Sequence, residues 1–364
     1  MKVLVWQWGR RGAGPRYAAE LARSFRQVPG TDARLSLSAS AELLRTREPP
    51  ACALPVATYS GLASFAGRVL TAPVLVPELA RWVRRERVDV ALCAMPAALD
   101  LAMAAALRWT GTPYAVVVHE ADLHPGDRFA SQIRLQRWLL GGAEAVFALS
   151  THVAERLRAR RLVTGKRLLL ASLPPFHYGP ELPRPGAHGG ALRLLSFGRL
   201  LPYKGLDLLA DALTLLGSRP GLEVRVVGSG PPSADLDRLR ALPGVVVENR
   251  WVQEDEISDL LGWADALILS HREASQSGVA AAAIAARRWV IATRVGGLAE
   301  QLGNERMAVL CDPEAASVAD AIRGLLAADR APPVADNAAD AVWSGVTRRM
   351  VAGLREIAGL PVSA

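Results

Sequence analysis

SFGRLLPYKG, Ser196 to Gly205, is the stretch on which the fold turns. With Leu192 to Leu195 in front of it, it runs as a strand and breaks at Gly198. It then delivers Arg199 and Lys204 just before a helical pattern begins. A strand that hands over to a helix through a glycine turn is one step of a parallel sheet. Phosphates are held at the carboxyl end of such strands. Two cations at that edge are aimed at one spot. Of 43 basic residues only Lys2, Lys166 and Lys204 are lysine. A compact, flexible ammonium suits an oligophosphate. The alternative for Arg199 and Lys204 is a surface ion pair.

The stretch has a companion, HREASQSGVAAAAIAARRWVIATRVGGLAEQL, His271 to Leu302. The apolar run DALILS precedes it, and Glu273 follows at once. The polar turn Gln276-Ser277-Gly278 then opens an Ala-rich helix. A carboxylate at a strand end accepts hydrogen bonds from sugar hydroxyls, or caps the next helix through its dipole. His271 and Arg272 lie close enough in sequence to approach the same ligand, and the sequence leaves their roles open.

Outward from these segments the chain alternates strands and helices, the pattern of doubly wound parallel sheets. In the first half, strands are predicted at Lys2–Gln7, Val88–Cys93, Tyr114–Val118 and Ala145–Leu149. In the second half they are predicted at Leu192–Phe197, Glu223–Val227, Val245–Glu248, Ala266–Leu269, Val290–Ala292 and Ala308–Leu310. Ser172 to Gly190 holds five prolines and four glycines without periodicity and reads as a linker. Trp343, Val346, Met350, Val351 and Leu354 mark an amphipathic helix near the end. A chain of 364 residues suits two cores. The expected division is 1–175, a linker at 176–190, 191–340, and a terminal helix and tail at 341–364.

At SFGRLLPYKG, Glu273 and VGGLAE (Val295 to Glu300) the chain resembles the retaining nucleotide-sugar glycosyltransferases of family 4. The resemblance is strong from about Leu192 to Glu300 and diffuse before it. It implies a GT-B fold: two Rossmann-like domains facing a central cleft, with a C-terminal helix crossing back to the first domain. It also implies that Arg199 and Lys204 hold the donor pyrophosphate, that Glu273 binds a donor-sugar hydroxyl, and that His119 faces donor and acceptor. The expected donor-binding set is Gly12, Gly14, Gly198, Arg199, Lys204, Val252, Glu273, Gln276, Ser277 and Gly278. Catalysis falls to His119, Arg199, Lys204 and Glu273. No metal or cofactor is expected; UDP or GDP carries the sugar, and the leaving phosphate itself takes the acceptor's proton. One departure matters. The family's second Glu, which binds the ribose, is replaced by Ala281, or by Ala282 if the turn holds an insertion.

Other features are weaker. The turn at Gly12-Ala13-Gly14 allows close backbone approach, but Tyr17 stands where a dinucleotide fingerprint has its third Gly. Gly228 and Gly230 read as a tight turn. His119, Glu120, Asp122, His124 and Asp127 match no metal spacing. A structural histidine is the alternative for His119. His152 reads as a helix-start residue behind Ser150 or Thr151 as cap.

Residues 1–175 carry 24 Lys and Arg against 13 Asp and Glu; the remainder carries 19 against 22. A basic half points to an anionic partner: a membrane surface or a lipid-linked or saccharide acceptor. Gly61 to Arg87, apolar and then rich in arginine, fits such a surface, or else a core helix with a solvated end. Nucleic acid is disfavoured, because the basic half shows no aromatic interleaving along the sequence. Three unpatterned cysteines, no leader pattern and no membrane span fit a cytoplasmic protein, with the inner membrane face as its partner surface. The rival readings are another Rossmann-type nucleotide-dependent enzyme and a non-catalytic sugar-nucleotide-binding protein.

Overall fold

Among the described residues thirteen strands form two separate parallel sheets, and each sheet reverses its strand order once. A computed structural model describes residues 1–59, 61–122, 130–176, 178, 190–218, 220–328 and 338–361. The linker at 176–190 lies almost wholly outside the described residues, as do His124 and Asp127. The chain divides into two units. Among the described residues, the first comprises those of 1–122, 130–172 and 340–361, and the second those of 173–339.

The first unit contains β1 (Lys2–Gln7), β2 (Asp32–Ser38), β3 (Leu54–Val56), β4 (Val90–Cys93), β5 (Tyr114–Val118), β6 (Ala145–Ala148) and β7 (Arg167–Leu170). Their order is β3-β2-β1-β4-β5-β6-β7, all parallel. One sheet face packs Leu4, Trp6, Val116 and Val146 against four helices, Ala72–Glu86, Asp100–Thr110, Ala130–Gly142 and Thr151–Ala159. The helix Ala338–Ile357 belongs to this unit, as the resemblance implies. Trp343, Val346, Met350, Val351 and Leu354 are all buried. Trp343 lies against Tyr17, and Arg355 donates to the Pro29 carbonyl at 2.9 Å.

The second unit contains β8 (Leu192–Arg199), β9 (Leu222–Ser229), β10 (Val245–Asn249), β11 (Ala266–Leu269), β12 (Trp289–Thr293) and β13 (Ala308–Cys311). Their order, β10-β9-β8-β11-β12-β13, is again all parallel. Leu194, Val226, Ile268 and Ile291 from the sheet share a core with the helices Leu206–Leu216 and Ala315–Ala327.

Three strands were not legible in the sequence: β2, β3 and β7. In β2, Ser36 and Ser38 are fully buried. Their hydroxyls are satisfied by the Trp8 indole at 3.0 Å, the Leu54 carbonyl at 2.8 Å and the Thr58 hydroxyl at 2.6 Å. At β4 the expected start, Val88, belongs instead to a helix end. Arg87 turns left-handed (φ 55°), and the Val88 amide closes on the Val83 carbonyl at 3.1 Å.

Candidate functional site

In the second sheet, strand order reverses between β8 and β11, and ligands of such sheets bind beyond the carboxyl ends at that point. The sequence delivers Gly198-Arg199 from β8 and Ser270-His271 from β11 to it. β8 and β9 end in very close contact. A Cβ at Gly228 would lie 1.7 Å from the Gly198 carbonyl oxygen, and one at Gly230 2.0 Å from that of Leu200. Asn249 fixes Gly230 from the far side, accepting from its amide and donating to its carbonyl, both at 3.1 Å. The expected tight turn is therefore not what these glycines make: Gly228 lies within β9, paired with Gly198, and both glycines serve the close approach of β9 to β8 and the segment after it.

Beyond Arg199 the chain forms a short 3-10 turn, Pro202–Lys204, and Gly205 turns left-handed (φ 64°). A side chain at Gly205 would meet the Ser270 carbonyl oxygen at 1.9 Å. The Ser270 hydroxyl donates to the Lys204 and Gly205 carbonyls at 3.0 Å each, and the Arg272 amide donates to the Tyr203 carbonyl at 2.8 Å. The turn is thus fastened to the end of β11. Lys204 Nζ comes to rest 2.8 Å from His271 Nε2, with the ammonium donating and the imidazole accepting. The guanidinium of Arg199 and the ammonium of Lys204 each lie 5.3 Å from the centre of the Tyr203 ring. A small cavity lined by Ser196, Arg199, Lys204, Ser270 and His271 opens among them. Of the two residues left open by the sequence, His271 joins this cluster. Arg272 pairs with Asp207 at the start of the next helix, and that hydrogen bond holds the Asp207 carboxyl below its ordinary range.

The loop after β11 carries the remaining predicted residues. Glu273 is exposed, and Gln276 is half-buried with its Oε1 enclosed by protein. Ser277 caps the helix Gly278–Ala285 by accepting from the Ala280 amide at 3.2 Å. Thr293 Oγ1 donates to the His271 carbonyl at 2.6 Å, and the Gly297 amide to the Ala274 carbonyl at 3.0 Å. The end of β12 and the VGGLAE turn after it therefore hold this loop between them. Val252 is buried just past β10, at the same edge of the sheet. Neither Thr293 nor Tyr203 was singled out in the sequence. Both act through backbone or ring contacts that carry no motif.

In the first unit the order reverses between β1 and β4. Gly12 (φ 80°) needs glycine for its conformation, with open space around it. Gly14 needs it for packing, because a Cβ would lie 2.8 Å from Gln7 Nε2 and 3.1 Å from Met95 Sδ. His119 stands at the end of β5. Its Nε2 donates to the Ala94 carbonyl at 3.0 Å, and its ring meets Tyr17 edge-on at 5.1 Å. Burial pulls its pKa down to about 4. The neutral ring keeps its lone pair on Nδ1, which suits a hydroxyl donor. Ser150 is the cap of the helix that carries His152, accepting from the Val153 amide at 3.2 Å.

Two family models match. Residues 5–172 fit a glycosyl transferase 4-like domain, and residues 191–328 fit glycosyl transferases group 1. A curated relative, D-inositol 3-phosphate glycosyltransferase of Arthrobacter sp. (strain FB24), is 34% identical over 149 residues. That match spans 38% of this chain and 35% of the relative. The fold is similar to that of Anabaena Alr3699/HepE in complex with UDP and glucose. The TM-score is 0.69 at 17% identity, over 97% of this chain and 99% of that one. It is similar too to a glycosyltransferase from Rickettsia africae ESF-5, with a TM-score of 0.67 at 17% identity over 98% of both chains.

Proposed function

Since the chain belongs to the group 1 glycosyltransferases, of the two-Rossmann, family 4 type, we propose that it moves a sugar from a nucleoside-diphosphate donor to an acceptor hydroxyl with retention and without a metal. The observation that carries this reading is the grouping of Arg199, Lys204 and His271 around one cavity at the reversal point of the second sheet. Breaking the bond between the anomeric carbon and the phosphate oxygen builds negative charge on the departing diphosphate. Fixed cations, with the Gly278 and Val279 amides at the start of the helix, stabilise that charge. The acceptor oxygen bonds to the anomeric carbon on the face the phosphate leaves, and its proton passes to the departing phosphate oxygen. No side-chain nucleophile is required. Glu273 and the His119 lone pair are assigned to donor-sugar hydroxyls. UDP or GDP is the nucleotide, and the UDP complex of the Anabaena structure favours UDP.

We assign the acceptor to the basic first unit and read it as a saccharide or lipid-linked saccharide met at an anionic, cytoplasmic membrane face. Among the described residues no helix is long and apolar enough to cross a membrane. The supporting observation is a continuous surface that the sequence does not reveal. Arg84 donates to the Trp109 carbonyl at 3.3 Å, and the Arg108 guanidinium lies against Gly142, so three successive helices are tied together. Their outer sides expose Trp109 (55%) and Trp138 (67%) among Arg81, Arg84, Arg85, Arg108, Arg134 and Arg137. Each tryptophan directly follows an arginine in the sequence, Arg108-Trp109 and Arg137-Trp138, and folding sets these pairs on neighbouring helices.

Lys204→Ala and Arg199→Ala should each cut transfer about 100-fold or more while the protein melts nearly as before, because an ion at a cleft edge contributes little to stability. The readouts are sugar transfer, slow release of free sugar from UDP-glucose, and a thermal-shift panel of UDP, GDP, ADP and TDP. EDTA should leave turnover unchanged. Normal turnover in either variant overturns the site. Nucleotide binding with no transfer and no sugar release marks a binding protein instead.

A further inference from the structure

The segment from Thr293 to Gln301 holds the donor loop at three points. Thr293 takes the His271 carbonyl and Gly297 takes the Ala274 carbonyl. The third contact is made by a side chain. Gln301 Oε1 accepts from the Ser277 amide at 2.8 Å, and Gln301 Nε2 donates to the Ser277 carbonyl at 3.1 Å. A two-point clamp on the N–H and C=O of one residue fixes the two peptide units that flank it, in position and in direction. Ser277 is buried, and its hydroxyl already serves the Ala280 amide. The next two amides, of Gly278 and Val279, open the helix and have no acceptor within it.

We propose that Gln301 is a positioning residue for the donor loop: by clamping Ser277 it aims the Gly278 and Val279 amides at the diphosphate. It thereby sets diphosphate affinity without touching the ligand. The inference rests on the donor reading above. Only an amide fits the role. A carboxylate keeps the bond from the Ser277 amide but turns a second oxygen against the Ser277 carbonyl, so the clamp opens. Protonation gives that oxygen a hydrogen to donate, and the clamp closes again. Leucine loses both bonds at similar volume.

Calorimetric titration of the full chain with UDP, GDP, ADP and TDP tests this, with melting temperatures recorded in parallel. Gln301→Leu should bind the diphosphate that the wild type prefers about tenfold or more weakly, since two hydrogen bonds are lost. Gln301→Glu should bind weakly at pH 8 and approach the wild type as pH falls through the carboxylate range, read as the ratio of variant to wild type at each pH. A general loss of packing produces no such pH-dependent recovery. Wild-type affinity in Gln301→Leu, or a Gln301→Glu ratio that does not change with pH, overturns the proposal. If Lys204→Ala loses binding while Gln301→Leu keeps it, the donor reading stands and this inference alone falls. If no diphosphate binds the wild type, both fall.

Discussion

Ala281 and Ala282 stand where a ribose-binding carboxylate is expected, and both are buried, 0% and 1% exposed, with Ala280 and Ala283 beside them. A glutamate at either position must lead its carboxylate out of the core or bury it unpaired. Ala281→Glu and Ala282→Glu should therefore each lower stability by about 3 kcal/mol or more, the range for an unpaired buried charge. UDP affinity should not rise. A variant that melts like the wild type and binds UDP more tightly would show that the ribose does reach this helix. Two other groups sit at the end of β4, Asp100 fully buried and His119 half-buried. His119 bonds to Ala94, and Asp100 accepts from the Ala97 amide at 2.6 Å and from the Cys93 thiol at 3.3 Å. Burial raises the Asp100 pKa from 3.8 to about 7 and lowers that of His119 from 6.5 to about 4. The signs oppose. Between pH 4 and 7 the folded state holds the Asp100 proton that the unfolded chain has lost, so this term weakens the fold as pH rises. Between pH 4 and 6.5 the unfolded chain binds a proton at His119 that the folded state refuses, so this term strengthens it. At 1.36 kcal/mol per pH unit the limits are about 4 and about 3 kcal/mol. Denaturant melts across pH 4–8 should show the two terms largely cancelling in the wild type. Asp100→Asn should gain stability up to about pH 6.5, and His119→Gln should lose it up to about pH 7. Parallel profiles for all three proteins would refute both assignments.

At the level of elements, legibility followed locality. β8 and β11 were readable because each holds a short apolar run, although β8 does not break at Gly198 but pairs on through Arg199, and Lys204 and Glu273 follow within a few residues. β2 was hidden because two of its core positions are serines, whose burial is possible only once Trp8, Leu54 and Thr58 supply partners. β3 spans three residues, and β7 is an edge strand with little buried surface, so neither shows a period. The same limit applies at the site. The contact between Lys204 and His271 joins residues 67 apart, and that between Gln301 and Ser277 joins residues 24 apart. Both exist only because parallel strands bring their carboxyl ends to one edge. A motif names the residues at each strand end. It does not say which of them touch.

For the whole molecule, the uneven charge acquires a surface. The excess of 24 basic over 13 acidic residues in positions 1–175 could have been spread evenly. Instead, exposed arginines gather on the outer helices of the first unit around two exposed tryptophans, with Glu78 the one exposed carboxylate on the helix that carries Arg81, Arg84 and Arg85. Tryptophan suits the boundary between headgroups and acyl chains, and each arginine near an anionic bilayer contributes about 1 kcal/mol. Cosedimentation with phosphatidylglycerol vesicles should then be strong at low salt. It should fall as salt shortens the screening length to about 8–10 Å. Arg81, Arg84, Arg85 and Arg87 changed together to Gln should weaken binding on the order of 100-fold or more. Trp109→Ala with Trp138→Ala should also weaken it, but without altering the salt dependence, because the rings contribute apolar contact and not charge. Neither set should change UDP binding, which the proposed function assigns to the second unit. Equal partition onto neutral and anionic vesicles, or none onto either, would leave the face without a lipid partner and make a soluble acceptor the better reading.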